Sequence, residues 1–313
     1  MPGPAADTAL SIPELLEAIS LHLDMSTVLL SAQRVNKHWL ATINDSIRLQ
    51  QLLYFKPIPS PRLPAWAYST PDNPWYPSTT KSRDVMAFLN PLLFKHFGTV
   101  FFDLSRWDSF HRAYAFTTHM PWWADDHSIA DWSEMPEDVE LSLSVEPLPR
   151  QKAFTRAGAS WRRMPVSQPA PLALGHTWQE YPDRDITVSK GIITETPTPS
   201  MLLPISRTGL YMGLLYDLIQ YHAGHHEQSS LYFRILWGHQ WRDYNVIKAH
   251  ARTSNELLKE VGVVVQFVHK CDSRSRQPAD VRAWDSAFKS EDFQLPEHET
   301  VEVWRGSWDD PDN

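Results

Sequence analysis

Apolar side chains return at a helical spacing near the amino end of this chain. Ile12, Leu15, Leu16, Ile19 and Leu23 stand at i, i+3, i+4, i+7 and i+11, a stripe as wide as a buried helix face. Ser11 and Glu14 have the spacing of a capping box, and Pro13 falls in the first turn, where a missing N–H costs nothing. A helix over this stretch follows. Asp24 and Ser26 offer caps to a second short helix carrying Val28, Leu29, Leu30 and Ala32, and Val35, Trp39 and Ile43 mark a third at i, i+4 and i+8. Three short helices have too little core to stand alone, so they dock on the rest of the chain or on a partner.

The pattern then breaks. Seven prolines between Pro57 and Pro77, interspersed with Trp66, Tyr68, Trp75 and Tyr76, exclude a regular helix or central strand and read as a linker whose rings need cover. Beyond Lys81, Val85, Phe88, Leu89 and Leu92 predict a short helix ending near Pro91, followed by an extended TVFFDL. Val139, Leu141, Leu143 and Val145 alternate as on a half-buried strand, and Phe154, Ala157, Trp161 and Met164 have helical spacing with Trp161 inward. Leu174 to Thr196 reads as polar and loop-like, with a short hairpin around Lys190-Gly191 flanked by Ile186, Val188 and Ile192. A helix follows from Arg207 to about His222, carrying Leu210, Leu214, Leu215, Leu218 and Ile219. LYFRILWG, GVVVQFVH and TVEVWR are three strands rich in β-branched and aromatic residues, with SNELLKEV a polar helix between the first two. No repeat of twenty to fifty residues is present. The fold class is α+β, three amino-terminal helices followed by a larger mixed domain.

The first helices resemble the F-box, and in particular the expanded F-box family of filamentous fungi. Ile12-Pro13 stands for the usual Leu-Pro pair, followed by Glu14-Leu15-Leu16, Ile19, Leu23 and the segment VNKHW from Val35 to Trp39. NPLLFKHFGTVFFD from Asn90 to Asp103 and ASWRRMPVSQP from Ala159 to Pro169 are similar to the same family. The resemblance divides the chain into an F-box over residues 8–55, a Pro-rich linker over 56–80 and a substrate-recognition domain over 81–308. It implies docking on the Skp-type adaptor of a cullin-RING ubiquitin ligase through Ile12, Pro13, Leu15, Ile19, Leu23, Leu29, Val35 and Trp39. The remainder then selects a protein substrate. Such a subunit needs no cofactor and no chemistry of its own, because the ubiquitin-conjugating enzyme supplies it. Two other readings stay open: an adaptor-bound scaffold acting outside a ligase, and an enzyme of another class.

Composition narrows these. With 313 residues, 42% of them hydrophobic, the chain can bury a substantial core. A net charge of −8 has the wrong sign for binding phosphate backbones, so nucleic acid is not an expected partner. No apolar run has the length of a membrane span, and the amino terminus lacks the basic start and long apolar stretch of a signal peptide. The single cysteine, Cys271, excludes an intramolecular disulfide and a thiolate zinc cluster, which fits cytosol or nucleus. Fourteen tryptophans and twenty-five prolines against eleven glycines predict rigid, irregular connections packed by rings.

Candidate chemistry is sparse. His222, His225 and His226, with Glu227 beside them and His239 further on, could hold a metal, but Ala223 stands where a metalloprotease helix places its glutamate. The alternative is a solvated helix end with imidazoles at the negative pole of the dipole. Asp125, Asp126 and His127 could serve acid–base work but lie in a broadly acidic stretch, and Cys271 has His269, Lys270, Arg274 and Arg276 nearby. After the acids between Trp122 and Glu146 the sign reverses. Arg150, Lys152, Arg156, Arg162 and Arg163 form a basic run, and Arg150, Arg156, Arg162 and Arg163 are candidates to receive a phosphorylated substrate segment. Against that stands pairing of the same arginines with the preceding acids, or plain solvation.

Overall fold

A computed structural model describes residues 10–58, 89–102, 110–112, 158–180, 185–193, 209–225, 231–238, 248–269 and 299–305, together with Phe154 and Arg156. The linker beyond Ile58, the alternating segment from Val139 to Val145, the acidic stretch, Arg150, Lys152, His226, Glu227, His239 and Cys271 lie outside these residues. The described chain is mixed helix and strand, with helices at its amino end and one mixed sheet.

The helices at the amino end are α1 (Pro13–Ser20), α2 (Met25–Leu30), a 3-10 turn (Ala32–Arg34), α3 (Lys37–Asp45) and α4 (Ile47–Leu52). Each start has a local cause. Asp24 accepts a hydrogen bond from the Thr27 amide at 3.0 Å, Asn36 from that of Trp39 at 2.9 Å, and Ser46 from that of Leu49 at 3.1 Å, each satisfying an otherwise free N–H. The expected capping box is corrected. Ile12 occupies the cap position of α1 without a side-chain cap bond, and Pro13 opens the helix. The third helix starts after Val35, and the fourth was not foreseen.

The sheet runs β1 (His111–Arg112), β4 (Leu231–Trp237), β5 (Val263–His269), β2 (Leu174–Glu180), β3 (Asp185–Ile193) and β6 (Glu299–Arg305). Neighbours are antiparallel except β5 and β2, which run parallel. One face carries the main core. Leu231, Phe233, Ile235 and Trp237 of β4 and Val263, Val265 and Phe267 of β5 pack there with α5 (Pro91–Phe102), α6 (Met212–His225) and a 3-10 turn (Ser160–Arg163). On the other face, α7 (Lys248–Val261) lays Leu257, Leu258 and Val261 over Leu236 and Val264.

Several expectations differ from the fold for physical reasons. Val85 and Phe88 of the helix expected before Pro91 lie outside the described residues; Pro91 itself begins a helix, because Asn90 accepts from the Leu92 and Leu93 amides at 3.0 and 3.2 Å while Pro91 occupies the tolerant first turn. Beyond a kink at Gly98 (φ 52°) the TVFF run is helical instead of extended, and Phe97, Phe101 and Phe102 are buried in the core. Trp161 does face inward, but on a 3-10 turn, with its indole donating to the Phe154 carbonyl at 2.9 Å. The stretch from Leu174, read as a loop, forms the paired strands β2 and β3. Lys190-Gly191 lies within β3 and not at a turn. Gly191 pairs with His176, and a Cβ built there would stand 2.3 Å from the imidazole Nε2, so the ring occupies the space that a side chain would need. The helix expected from Arg207 begins at Met212, and its expected Leu210 is buried just ahead of it.

Candidate docking surface

The amino-terminal helices build a core of their own from Val28, Ala32, Ile43, Leu49 and Leu53, with Leu21, Leu23, Met25, Trp39 and Leu52 against it. Polar contacts hold the geometry. The Ser46 hydroxyl donates to Glu17 at 2.7 Å, tying α1 to the start of α4, and the Gln50 amide donates to the Ile43 carbonyl at 2.9 Å. The Thr27 hydroxyl and amide both donate to Asp24 and hold its carboxyl below the usual aspartate range.

This small unit sits against the sheet domain through the end of α4. Tyr54 adopts a left-handed backbone (φ 56°), uncommon for a residue with a Cβ. Its hydroxyl donates to the Leu89 carbonyl at 3.3 Å, and with Phe55 it packs on the main core. Gln168 donates back to the Gln51 and Lys56 carbonyls at 2.6 and 3.3 Å. The faces turned inward are thereby covered.

What remains outward is unusually apolar. Ile12 at the cap of α1 and Leu15 and Ile19 within it are 41–45% exposed, whereas Leu16 and Ser20 are buried. The stripe predicted as one buried face is therefore divided, Leu16 inward and the other three toward solvent. Among the described residues, ten large apolar side chains are exposed, and Leu30, Val35, Leu40 and Ile47 join the α1 trio to put seven of them between residues 12 and 47. Exposed apolar side chains of this kind are what a docking surface requires. Of the expected docking residues, Ile12, Pro13, Leu15, Ile19 and Val35 are exposed, while Leu23, Leu29 and Trp39 are half-buried in the local core. Leu30, Leu40 and Ile47 were not expected. Their only sequence signal is an apolar residue out of phase with the stripe of its own helix.

Of the arginine run, Arg156, Arg162 and Arg163 are among the described residues. Arg162 is paired with Asp217 of α6, and its guanidinium lies 5.2 Å from the centre of the Trp161 ring. Its described partner is thus a residue of the helix beside it. Burial outweighs this guanidinium and pushes the Asp217 carboxyl up to about 6. Arg163 lies over the Phe55 ring at 5.5 Å, and Arg156 is exposed.

Of the histidine cluster, only the His222 side chain is among the described residues. His222 is buried, with ring centres 4.7 Å from Trp178 and 4.4 Å from Phe267, so it is no solvated helix end. Among the described residues no three His, Cys, Asp or Glu side chains group as a metal site, and no helix is long and apolar enough to cross a membrane.

A buried polar row lies beneath α7. Arg234, Gln266 and Thr177 occupy one register across β4, β5 and β2. Arg234 can only donate, which sets a direction. Its Nε donates to Gln266 Oε1 (2.6 Å), Gln266 Nε2 to Ser254 Oγ (2.7 Å), and Ser254 Oγ lies 3.0 Å from Thr177 Oγ1. Thr177 then reaches His250 Nε2 at 2.8 Å, and His250 Nδ1 reaches Gln179 Oε1 at 2.9 Å. With donors running one way, Nε2 accepts and Nδ1 donates, which is the neutral ring. Burial first, and the Arg234 charge second, depress the His250 pKa to about 3. These six side chains are all buried, an arrangement that rigidifies the layer and offers no open position to a substrate.

Comparisons with models of protein families, with curated proteins and with solved structures return no match.

Proposed function

We propose that this chain is the substrate-recognition subunit of an SCF-type cullin-RING ubiquitin ligase, a non-catalytic adaptor. In this reading α1 to α4 are an F-box that docks on the Skp-type adaptor, and the sheet domain presents a protein substrate. The observation that carries it is the set of outward apolar side chains Ile12, Leu15, Ile19 and Val35 on helices that already own a core. Their position agrees with the resemblance in IPELL and VNKHW. Such a subunit works by raising the effective concentration of substrate at the transfer machinery, in the reducing compartment that a single cysteine suits.

The test is a pull-down of purified protein with the Skp-type adaptor, comparing wild type with Leu15→Asp/Ile19→Asp. Both side chains are nearly half exposed, so the variant retains its fold by circular dichroism. Covering the exposed remainder of each is worth about 1 kcal/mol, half of what full burial gives. Two lost together weaken binding by about thirtyfold before the added charges are counted. Absence of binding by folded wild-type protein defeats the proposal.

A further inference from the structure

A cavity of about 480 Å³ lies where the amino-terminal helices meet the sheet domain, between α2 and Phe55 on one side and α5, the 160–163 turn and Tyr211 on the other. Its volume is within the range of small-molecule sites. Its buried lining is apolar, and its more exposed lining mixes basic side chains with neutral polar ones such as Gln33, Asn44 and Gln50 and with the exposed Leu30. Leu93, Phe97, Trp161, Met164 and Tyr211 are buried and apolar or aromatic, while His96 and Arg163 are exposed and Lys56 is half-buried. Among the described residues that line it there is no Asp or Glu, and neither Lys56 nor Arg163 is paired with a described carboxylate.

An apolar floor under a basic mouth selects for two properties in one molecule. The floor excludes a bare inorganic anion, which would gain nothing from burying beside Phe97 and Trp161 and would lose its hydration. The mouth disfavours an amphiphilic cation. An uncharged apolar molecule would fill the floor but leave the charged mouth unused. We infer that this cavity binds a small amphiphilic carboxylate, its apolar body on Phe97, Trp161 and Met164 and its carboxylate between Lys56 and Arg163. Arg163 is suited to the task because its guanidinium is already held over the Phe55 ring at 5.5 Å, which leaves its edge for a charge-assisted hydrogen bond. Because Leu29, Leu30 and Phe55 line one side and Leu92 and Leu93 the other, an occupant would also fasten the helical unit to the sheet domain.

The experiment is isothermal titration of the full chain with dodecanoate below its micellar concentration, with dodecylammonium and dodecanol as controls. Saturable one-to-one binding of dodecanoate is expected. Dodecylammonium should not bind, and dodecanol should bind more weakly. The double variant Lys56→Gln/Arg163→Gln should lose at least about tenfold in dodecanoate affinity, as expected for loss of charge-assisted contacts, and leave dodecanol binding unchanged. Phe154→Trp, which enlarges a half-buried ring on the wall, should weaken both. The inference is overturned if folded wild type binds no dodecanoate, if dodecylammonium binds equally, or if neither variant alters dodecanoate binding.

Discussion

Replacing His250 by Gln tests the polar row through its pH dependence. The ring is neutral in the folded protein, with its pKa depressed to about 3 from an ordinary 6.5. Below pH 6.5 the unfolded chain takes up a proton at this imidazole, and the folded chain refuses it until about pH 3. The unfolded state therefore binds more protons in this window, so the contribution is complete above 6.5 and is lost as pH falls. At 1.36 kcal/mol per pH unit the full interval is worth about 5 kcal/mol, and at about pH 4.5 the loss reaches about 2.7 kcal/mol. Protonation has a structural cost as well. A second N–H at Nε2 would face the Thr177 hydroxyl, and reversing the chain of donors would end against Arg234, which cannot accept. Glutamine retains one donor and one acceptor but does not titrate. Urea unfolding at about pH 7.5, 6.5, 5.5 and 4.5 for both proteins gives the difference in stability, in which the other carboxylates and imidazoles cancel. That comparison is needed because Asp217 acts in the opposite sense, its raised pKa favouring the folded state as pH falls through about 6. The wild-type advantage should shrink by about 2.7 kcal/mol between the ends of the series. A difference that stays level with pH would refute a neutral His250 held by this row.

Other substitutions probe other parts of the fold. Gly191→Ala pushes a methyl group into the His176 ring and should destabilise by about 1–3 kcal/mol in chemical denaturation, with His176→Ala in the same chain recovering most of the loss. Leu16→Ala should cost about 2–4 kcal/mol because Leu16 is fully buried. Leu15→Ala, one residue away and nearly half exposed, should change stability by less than about 0.5 kcal/mol. Asn90→Ala removes the cap of α5 and a 3.3 Å bond to the Pro165 carbonyl, which should lower stability by about 1–2 kcal/mol. Arg162→Met leaves the Asp217 carboxylate buried without its cation, for a loss of about 3–5 kcal/mol while the carboxylate is ionised; because Arg162 lowers this pKa, the variant's carboxyl takes up its proton above the wild-type value of about 6, and the loss lessens as pH falls toward that value.

Local chemistry was legible in the residues themselves. Pro13 and Asp24 announce α1 and α2, the apolar and β-branched runs announce β4, β5 and β6, and the stripe of Leu214, Leu215, Leu218 and Ile219 announces α6. These depend on spacing and caps, which neighbours along the chain supply. The strand β2 was not legible. Its Gly175, His176, Thr177 and Gln179 look like a solvated loop, and they are buried because Ser254, His250 and Gln266 arrive from distant segments to meet the polar groups, while Gly191 opens room for the ring. Hydrophobic patterning cannot register a polar side chain whose partner lies seventy residues away. The same limit applies to the surface. The sequence places Ile12, Leu15, Leu16 and Ile19 within one stripe, but only the packing of α1 against the Ile43 and Leu49 core decides that Leu16 turns inward and its neighbours stay exposed. The mouth of Lys56, His96 and Arg163 over buried rings is likewise a product of tertiary structure, since it assembles residues more than a hundred positions apart.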